Sequence, residues 1–408
     1  MTPRVPPFRE AVKRALRDAA SRQHLHERLG RLNERQAHVW DLEAVSSLVQ
    51  HATRMRQHAL AHLGELWTLA EAQATARGIG ITWAETAEEA RNHVLAWTKQ
   101  AQGKIALVRS VVVEEIALPS SLEATGQAFV VADMGGYVAH LVGELPAHPI
   151  ITLAHLGERD VAELWHLFTG HSLPLTRSAI VQAVHAHLRV ELSECVAVVV
   201  GAHGIVAETG APFVFDWEGH AVAALQPGTQ TLVVVGLDQI VPTVDHVELL
   251  GHVWARAALG VEQMPQTLYL QPASNNPQGT HIVVVDNGRA ELLNQGWADL
   301  LQCVHCGACA TACPVVQEIG NHTYGLPYAG PVATVWGPAR FPATHAELAW
   351  ASTLCGACGT VCPVGVNVPS LIARVRSHRD AQNARRGWRP WHPIHWLTGN
   401  LTGRRGTP

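Results

Sequence analysis

Cys303-Val-His-Cys306-Gly-Ala-Cys309-Ala-Thr-Ala-Cys313-Pro314 is the stretch that decides how the chain is read. Gaps of two, two and three residues, closed by proline, make the bacterial ferredoxin-type run for a [4Fe–4S] cluster. The spacing has a physical basis. A tight CxxCxxC loop supplies thiolates at three neighbouring corners of a cubane, the fourth cysteine points away towards a second cluster, and the proline turns the chain. About forty residues on, Cys355-Gly-Ala-Cys358-Gly-Thr-Val-Cys362-Pro363 repeats the pattern, and the two runs hold seven of the eight cysteines.

In a two-cluster arrangement the fourth cysteine of each run serves the other run's cluster. That rule predicts Cys303, Cys306, Cys309 and Cys362 around a first, [4Fe–4S] cluster, and Cys313, Cys355 and Cys358 around a second. The second run lacks its first cysteine, and Ser352 stands there. The second cluster is therefore [3Fe–4S], or [4Fe–4S] with a non-cysteine ligand or an open iron. Ser352, His322 or a partner are candidates for that corner. Structural zinc is the competing use, but two CxxC pairs satisfy zinc and the longer run is then superfluous. Cys195, alone at the start of an apolar strand, reads as a buried inert thiol with no general base beside it.

At 408 residues the chain is long enough for two or three domains. Its 30 Lys and Arg nearly balance 34 Asp and Glu, which leaves no electrostatic case for nucleic acid as the main partner. The opening Met1-Thr-Pro-Arg-Val-Pro-Pro-Phe has no apolar core of an export signal. No apolar run approaches the roughly eighteen residues of a spanning helix. The expected compartment is the cytosol or the inner face of the membrane, where CxxC cysteines are metal ligands rather than disulfides. No GxGxxG follows a strand, so no nicotinamide or flavin fingerprint exists. No catalytic residue is assigned, and a complete dehydrogenase is not expected.

The rest reads as α/β. Residues 1–76 are helical, with Phe8, Val12 and Leu16 at four-residue spacing and Leu48, Met55, Leu60, Leu63, Leu66 and Leu69 further on. The interleaved His and Arg read as a solvated helix face. From 77, apolar strands at 79–83, 105–108, 128–132 and 150–154 alternate with helices. One helix opens with a capping box at Thr86–Glu89; another covers 114–122, where Pro119 should break or kink it. This pattern argues for a parallel sheet covered on both faces. Helix 178–190 then precedes close-set strands at 196–200, 203–207, 213–215, 231–235 and 281–285, with helix 244–259 among them. Residues 77–295 thus read as one α/β domain with a mixed sheet, and 296–380 as the two-cluster domain. Between the cysteine runs, 320–325 and 327–331 read as loop outside the core. Beyond Cys362 a helix runs through Leu371, Ile372 and Val375, with Pro369 suited to its first position. The tail 381–408 carries Arg with Trp388, Trp391 and Trp396, for packing on the cluster domain, partner binding or an anionic membrane surface.

Several segments carry a family resemblance: Glu114-Glu115-Ile116, Ala207-Glu-Thr-Gly210, Val235-Gly-Leu-Asp-Gln-Ile-Val-Pro-Thr243, His281-Ile-Val-Val-Val-Asp-Asn-Gly-Arg289, Leu301-Gln-Cys-Val-His-Cys306 and Ala351-Ser-Thr-Leu-Cys-Gly-Ala-Cys358. Over nearly its whole length the chain resembles the lactate utilization protein B family, the iron–sulfur subunit of a bacterial L-lactate oxidation system. The resemblance implies a LUD domain at 77–295, with a fold similar to the NagB/RpiA/CoA-transferase group, and a C-terminal α-helical ferredoxin-type domain. It implies the ligand split given above and oxidation of L-lactate to pyruvate. Its implied partners are a cysteine-rich CCG-domain subunit and a stand-alone LUD-domain subunit.

There are departures. The family's Lys-Ser-Lys-Ser-Met is similar here to Lys104-Ile-Ala-Leu-Val-Arg109-Ser110-Val111, and its Asp-Leu-Gly-Glu to Asp133-Met-Gly-Gly136, without the final acid. Glu208 has two readings, a binding or catalytic carboxylate, or a turn in which Glu208 and Thr209 bond local backbone and Gly210 takes positive φ. The expected role is electron transfer. The alternatives are service to another 2-hydroxy acid such as glycolate, or a redox-sensing regulatory module.

Overall fold

A computed structural model describes residues 6–40, 43–226, 229–270 and 279–385. The three tail tryptophans lie outside these residues. Four helices come first: α1 (Phe8–Arg17), α2 (Ala19–Trp40), α3 (Glu43–Ala61) and α4 (Leu63–Ala76). Asp18 separates the first two and caps α2, its Oδ1 accepting from Ser21 N at 3.0 Å. Leu25, Leu29, Leu32 and Val39 line one face of α2 and are buried, with α2 packed on helices Val244–Leu259 and Pro314–Ile319. Fully burying each leucine contributes roughly 1.5–3 kcal/mol.

Among the described residues ten strands follow: β1 (Gly80–Ala84), β2 (Ile105–Val108), β3 (Phe129–Val131), β4 (Ala197–Gly201), β5 (Gly204–Val206), β6 (Pro212–Phe215), β7 (Gln230–Gly236), β8 (Ile240–Val241), β9 (Thr267–Tyr269) and β10 (Thr280–Val285). Six form one wholly parallel sheet in the order β1-β10-β7-β4-β2-β3. The inner strands are runs of valine because both faces are covered. Val198, Val200, Val233 and Val235 enter one apolar core, and Val199, Leu232, Val234 and Val283 the opposite one.

The single mixed sheet expected from the sequence is two sheets. β4 and β7 each leave the main sheet through a short bend and continue as β5 and β8, which pair in parallel in a second sheet ordered β8-β5-β6-β9. Only that smaller sheet is mixed.

Other expectations need correction. Residues 150–154 form a turn rather than a strand, because buried His148 Nδ1 accepts from Ile150 N at 3.1 Å and Ile151 N at 3.3 Å, curling the segment. The helix expected at 114–122 does break, but at Ala117 (φ +53), and Pro119 sits harmlessly in the first turn of Leu118–Ala124. Pro369 likewise falls second, not first, in Val368–Arg385. The segment read as loop outside the core is buried. Asn321, Thr323 and Tyr324 form a buried 3-10 turn, Tyr328 is buried, and Gly330–Arg340 is a helix enclosed almost throughout. Tyr328 stacks on Trp336 at 4.4 Å, which turns a glycine- and proline-rich stretch into core.

Candidate iron–sulfur centres

The two cysteine runs fold as the same loop twice. In the first, His305 (φ +54) and Gly307 (φ +79) occupy the left-handed region on either side of Cys306. In the second, Leu354 (φ +56) and Gly356 (φ +91) do so around Cys355. A one-turn helix follows each, Ala308–Thr311 and Ala357–Thr360, and carries Cys309 and Cys358. Cys313 then caps helix Pro314–Ile319, with Pro314 in its first turn.

The thiols stand around two cavities. One is lined by Cys303, Cys306, Cys309 and Cys362, together with Cys358 and apolar Val304, Val332, Val364 and Val366. The other is lined by Cys313, Cys355, Cys358 and Ser352. Cys358 faces both, which the spacing rule does not foresee. His322 lines neither cavity; its ring lies 4.9 Å from that of His155. The second cavity is nearer the surface, since its Cys355 is exposed while Cys303, Cys306, Cys309 and Cys362 around the first are buried or half-buried.

Burial pushes up every cluster thiol except that of exposed Cys355, Cys303 to about 12 and Cys358 to about 11, and neighbouring thiols add to the effect. Backbone N–H groups oppose it: His305 N donates to Cys303 Sγ at 3.4 Å and Val366 N to Cys362 Sγ at 3.2 Å. Several thiols crowded into a dry pocket repel one another once ionised, so the donor set suits a cationic iron–sulfur core. Among the described residues no His, Cys, Asp or Glu side chains converge on a single-ion site. The thiols line cavity walls instead. The residues fit the clusters that the spacing predicts.

The first cysteine loop is held by side chains from elsewhere, which the sequence reading missed. Arg56 of α3, read as part of a solvated face, is 1% exposed. It donates to Leu301 O at 2.9 Å and Gln302 O at 3.2 Å, and to Asp238 O at 2.7 Å and Ile240 O at 3.0 Å. Gln239 Nε2 donates to Cys303 O at 3.1 Å, and Trp254 Nε1 to Val304 O at 3.2 Å. Four consecutive carbonyls, Leu301 to Val304, are thus bound by α3 and the α/β part.

Beneath them lies a buried ion network. Arg289, fully enclosed, bonds Asp238 Oδ1 at 2.6 Å and Glu115 Oε2 at 2.7 Å, and Tyr328 donates to the same Glu115 oxygen at 2.5 Å. Burial pushes Glu115 and Asp238 up, but Arg289 overrides it and holds both below the usual carboxylate range. Glu115, Asp238, Gln239 and Arg289 all come from the segments that carry the family resemblance. Charges inside apolar runs were the available signal.

A separate cavity of about 320 Å³ opens at the C-terminal ends of β2, β3 and β4, where α/β sheets bind ligands. Arg109 Nε there lies 3.2 Å from Asp133 Oδ2 and 3.7 Å from Glu114 Oε1. A Cβ on Gly136 would meet both Asp133 carboxylate oxygens and Arg109 Nε within 2.8 Å. The missing acid of the Asp133-Met-Gly-Gly136 turn is therefore what lets this pair close. With Asp133, Glu114 and Glu218 around it, Arg109 leaves no net positive charge for an anionic substrate.

Thr209 and Gly210 behave as the turn reading expects, but the Glu208 carboxylate bonds distant rather than local backbone. Its Oε1 accepts from Val244 N at 2.6 Å at the start of helix Val244–Leu259, and Thr209 Oγ1 accepts from Ala211 N. Gly210 has φ +67, and a side chain there would strike Ala74 N. Cys195 is buried, donates to Glu191 O, and is pushed up to about 11 by burial.

A parallel α/β domain carrying a paired cysteine centre defines an iron–sulfur electron-transfer protein. The chain matches a LUD domain over residues 68–281 and a 4Fe-4S dicluster domain over 299–366, which implies two iron–sulfur clusters. It is 31% identical over 357 residues to a "Lactate utilization protein B" of Macrococcus caseolyticus, covering 85% of this chain and 75% of that one. It is 30% identical over 379 residues to the protein of that name in Bacillus pumilus (90% and 80%). It is also 30% identical over 342 residues to the "Uncharacterized electron transport protein YkgF" of Escherichia coli (82% and 69%). A crystal structure of a DUF162 family protein from Deinococcus radiodurans aligns over 55% of this chain and 98% of its own, at 17% identity and TM-score 0.31. The chain belongs to the lactate utilization protein B family. No helix among the described residues is long and apolar enough to cross a membrane.

Proposed function

We propose that this chain is the iron–sulfur electron-transfer subunit of a complex that oxidises L-lactate to pyruvate. Cys303, Cys306, Cys309 and Cys362 hold its first cluster, and Cys313, Cys355 and Cys358 bind the second. The observation that carries the reading is the grouping of these thiols around two cavities that share Cys358. When bound, the clusters supply one-electron storage and transfer. The protein does the rest. Val304, Val332, Val364 and Val366 line the first cavity with apolar side chains, and the N–H groups of His305 and Val366 stabilise thiolate charge. Arg56, Gln239 and Trp254 fix the first loop against the α/β part.

Two features support transfer rather than lactate chemistry on this chain. The cavity around Arg109 offers a lactate anion no uncompensated cation. The exposed Cys355 also gives the second centre a short route to a partner. The family name borne by the relatives supports lactate as the donor. The partners in this reading are a CCG-domain subunit and a stand-alone LUD-domain subunit, meeting this chain in the cytosol or at the inner membrane face.

The test is electron paramagnetic resonance on anaerobic protein. Adding L-lactate should reduce the clusters only when both partners are present. Reduction by L-lactate without partners would contradict the subunit role, and reduction by glycolate alone would move the donor to another 2-hydroxy acid.

A further inference from the structure

The spacing rule gives the second centre three cysteines and leaves one corner open. We propose that Ser352 Oγ is the fourth protein ligand of that centre, which makes it a [4Fe–4S] cluster with one alkoxide corner. The inference rests on the two-cluster reading above.

Ser352 stands where Cys303 stands in the first run, three residues before the central cysteine. The structure repeats more than the spacing. In the first loop His305 N donates to the Sγ of the residue two before it, Cys303. In the second, Leu354 N donates to the Oγ of the residue two before it, Ser352, at 3.1 Å. The two donors take the same rare conformation, φ +54 at His305 and φ +56 at Leu354. Neither is glycine, and a leucine in the left-handed region costs about 1 kcal/mol. A loop that had lost its ligand would be free to relax that strain. This one keeps it, and with it the N–H aimed at the serine oxygen.

The alternatives within the chain fall away. His322 lines neither cavity. Thr353 lines the second cavity, but its hydroxyl serves the Cys355 thiol, which it helps hold below the usual range after the Ala357 N–H. Ser352 is also pinned from behind. Arg376 on helix Val368–Arg385 donates to Ser352 O and to Ala349 O, each at 2.7 Å, with its guanidinium 5.0 Å from the Trp350 ring. The carbonyl side of residue 352 is held, so its hydroxyl stays on the cavity wall.

Ligation balances simply. The Oγ–Fe bond forms as the hydroxyl proton leaves to water, and no electron moves. The Leu354 N–H then donates to an anionic oxygen, a stronger bond than to a neutral hydroxyl.

The experiment uses the full chain, purified anaerobically without partners, as wild type, Ser352→Ala and Ser352→Cys. Iron content and Mössbauer spectra are read beside electron paramagnetic resonance after mild oxidation. Wild type should hold two full cubanes with one iron site unlike the rest. Ser352→Ala should lose one iron and give a [3Fe–4S] signal on oxidation. Ser352→Cys should keep full iron and lose the unlike site. The first cluster's spectrum, unchanged in all three, reports an intact fold. A Ser352→Ala protein with wild-type iron and spectrum overturns the assignment, as does a wild type already [3Fe–4S] without its partners. A wild type holding fewer than two clusters refutes the reading beneath it.

Discussion

Replacing Arg56 by methionine tests whether the first cysteine loop is held from outside. Methionine roughly fills the volume and removes every donor. Four carbonyls then lose the guanidinium: Leu301, Gln302, Asp238 and Ile240. An orphaned buried acceptor costs about 1–3 kcal/mol, so four give about 4 kcal/mol at the low end. Water entering the vacated polar space, and the relief of burying a charge, keep the loss near that end. At about 2 °C per kcal/mol the melting midpoint should fall about 8 °C. Lysine brings the charge but not the fork, and should recover part of the loss.

The assay follows visible absorbance near roughly 400 nm, which reports the clusters, beside far-ultraviolet circular dichroism. In Arg56→Met the visible signal should be lost first, because two of the freed carbonyls directly precede Cys303. A fall of under about 1 kcal/mol, the worth of one ordinary hydrogen bond, would refute this account of the loop.

Glu115→Gln should cost about 3–5 kcal/mol at neutral pH by leaving Arg289 underpaired in the interior. The wild-type Glu115 value is depressed in the fold, so its contribution is complete above the ordinary 4.5 and is lost as pH falls through the folded value. Denaturant titrations should therefore show the gap to Glu115→Gln narrowing only below about pH 4.5. Cys195, pushed up to about 11, should resist iodoacetamide at neutral pH until the protein is unfolded, and Cys195→Ala should keep full iron content. Glu208→Ala should lose about 1 kcal/mol with its helix cap, while Glu208→Gln stays near wild type. Normal stability with lost lactate-driven reduction in Glu208→Gln would restore a functional carboxylate.

The inner strands were legible because a covered parallel strand must be apolar on both faces, and Val198–Val200 and Val233–Val235 are. Residues 150–154 have the same composition, Ile-Ile-Thr-Leu-Ala, and form a turn. What separates them is His148, whose ring takes two of the N–H groups a strand would give its neighbour. Local composition carries no trace of that. Arg56 escaped for a related reason. An arginine on an amphipathic helix is solvated by default, and only tertiary structure brings carbonyls to its fork. The two cysteine runs were legible from spacing, because cubane geometry constrains a short loop. The double position of Cys358 depends on how the two loops meet, which spacing does not encode.

The α/β part and the cluster part match two different domains yet pack against each other closely. The sequence reading divides 77–295 from 296–380 by the strand pattern of the one and the cysteine runs of the other. The packing crosses that division. One continuous apolar core draws Leu25, Leu29 and Met55 from the first helices, Phe213 and Trp254 from the α/β part, and Cys306, Cys313 and Cys358 from the cluster loops. Across it run the bonds from Arg56, Gln239 and Trp254 to four successive carbonyls. Metal binding that orders a site contributes to folding free energy. Where the site shares its core with the sheet, that contribution reaches the sheet as well. The LUD domain of this chain is thus the body against which the cysteine loops are fixed.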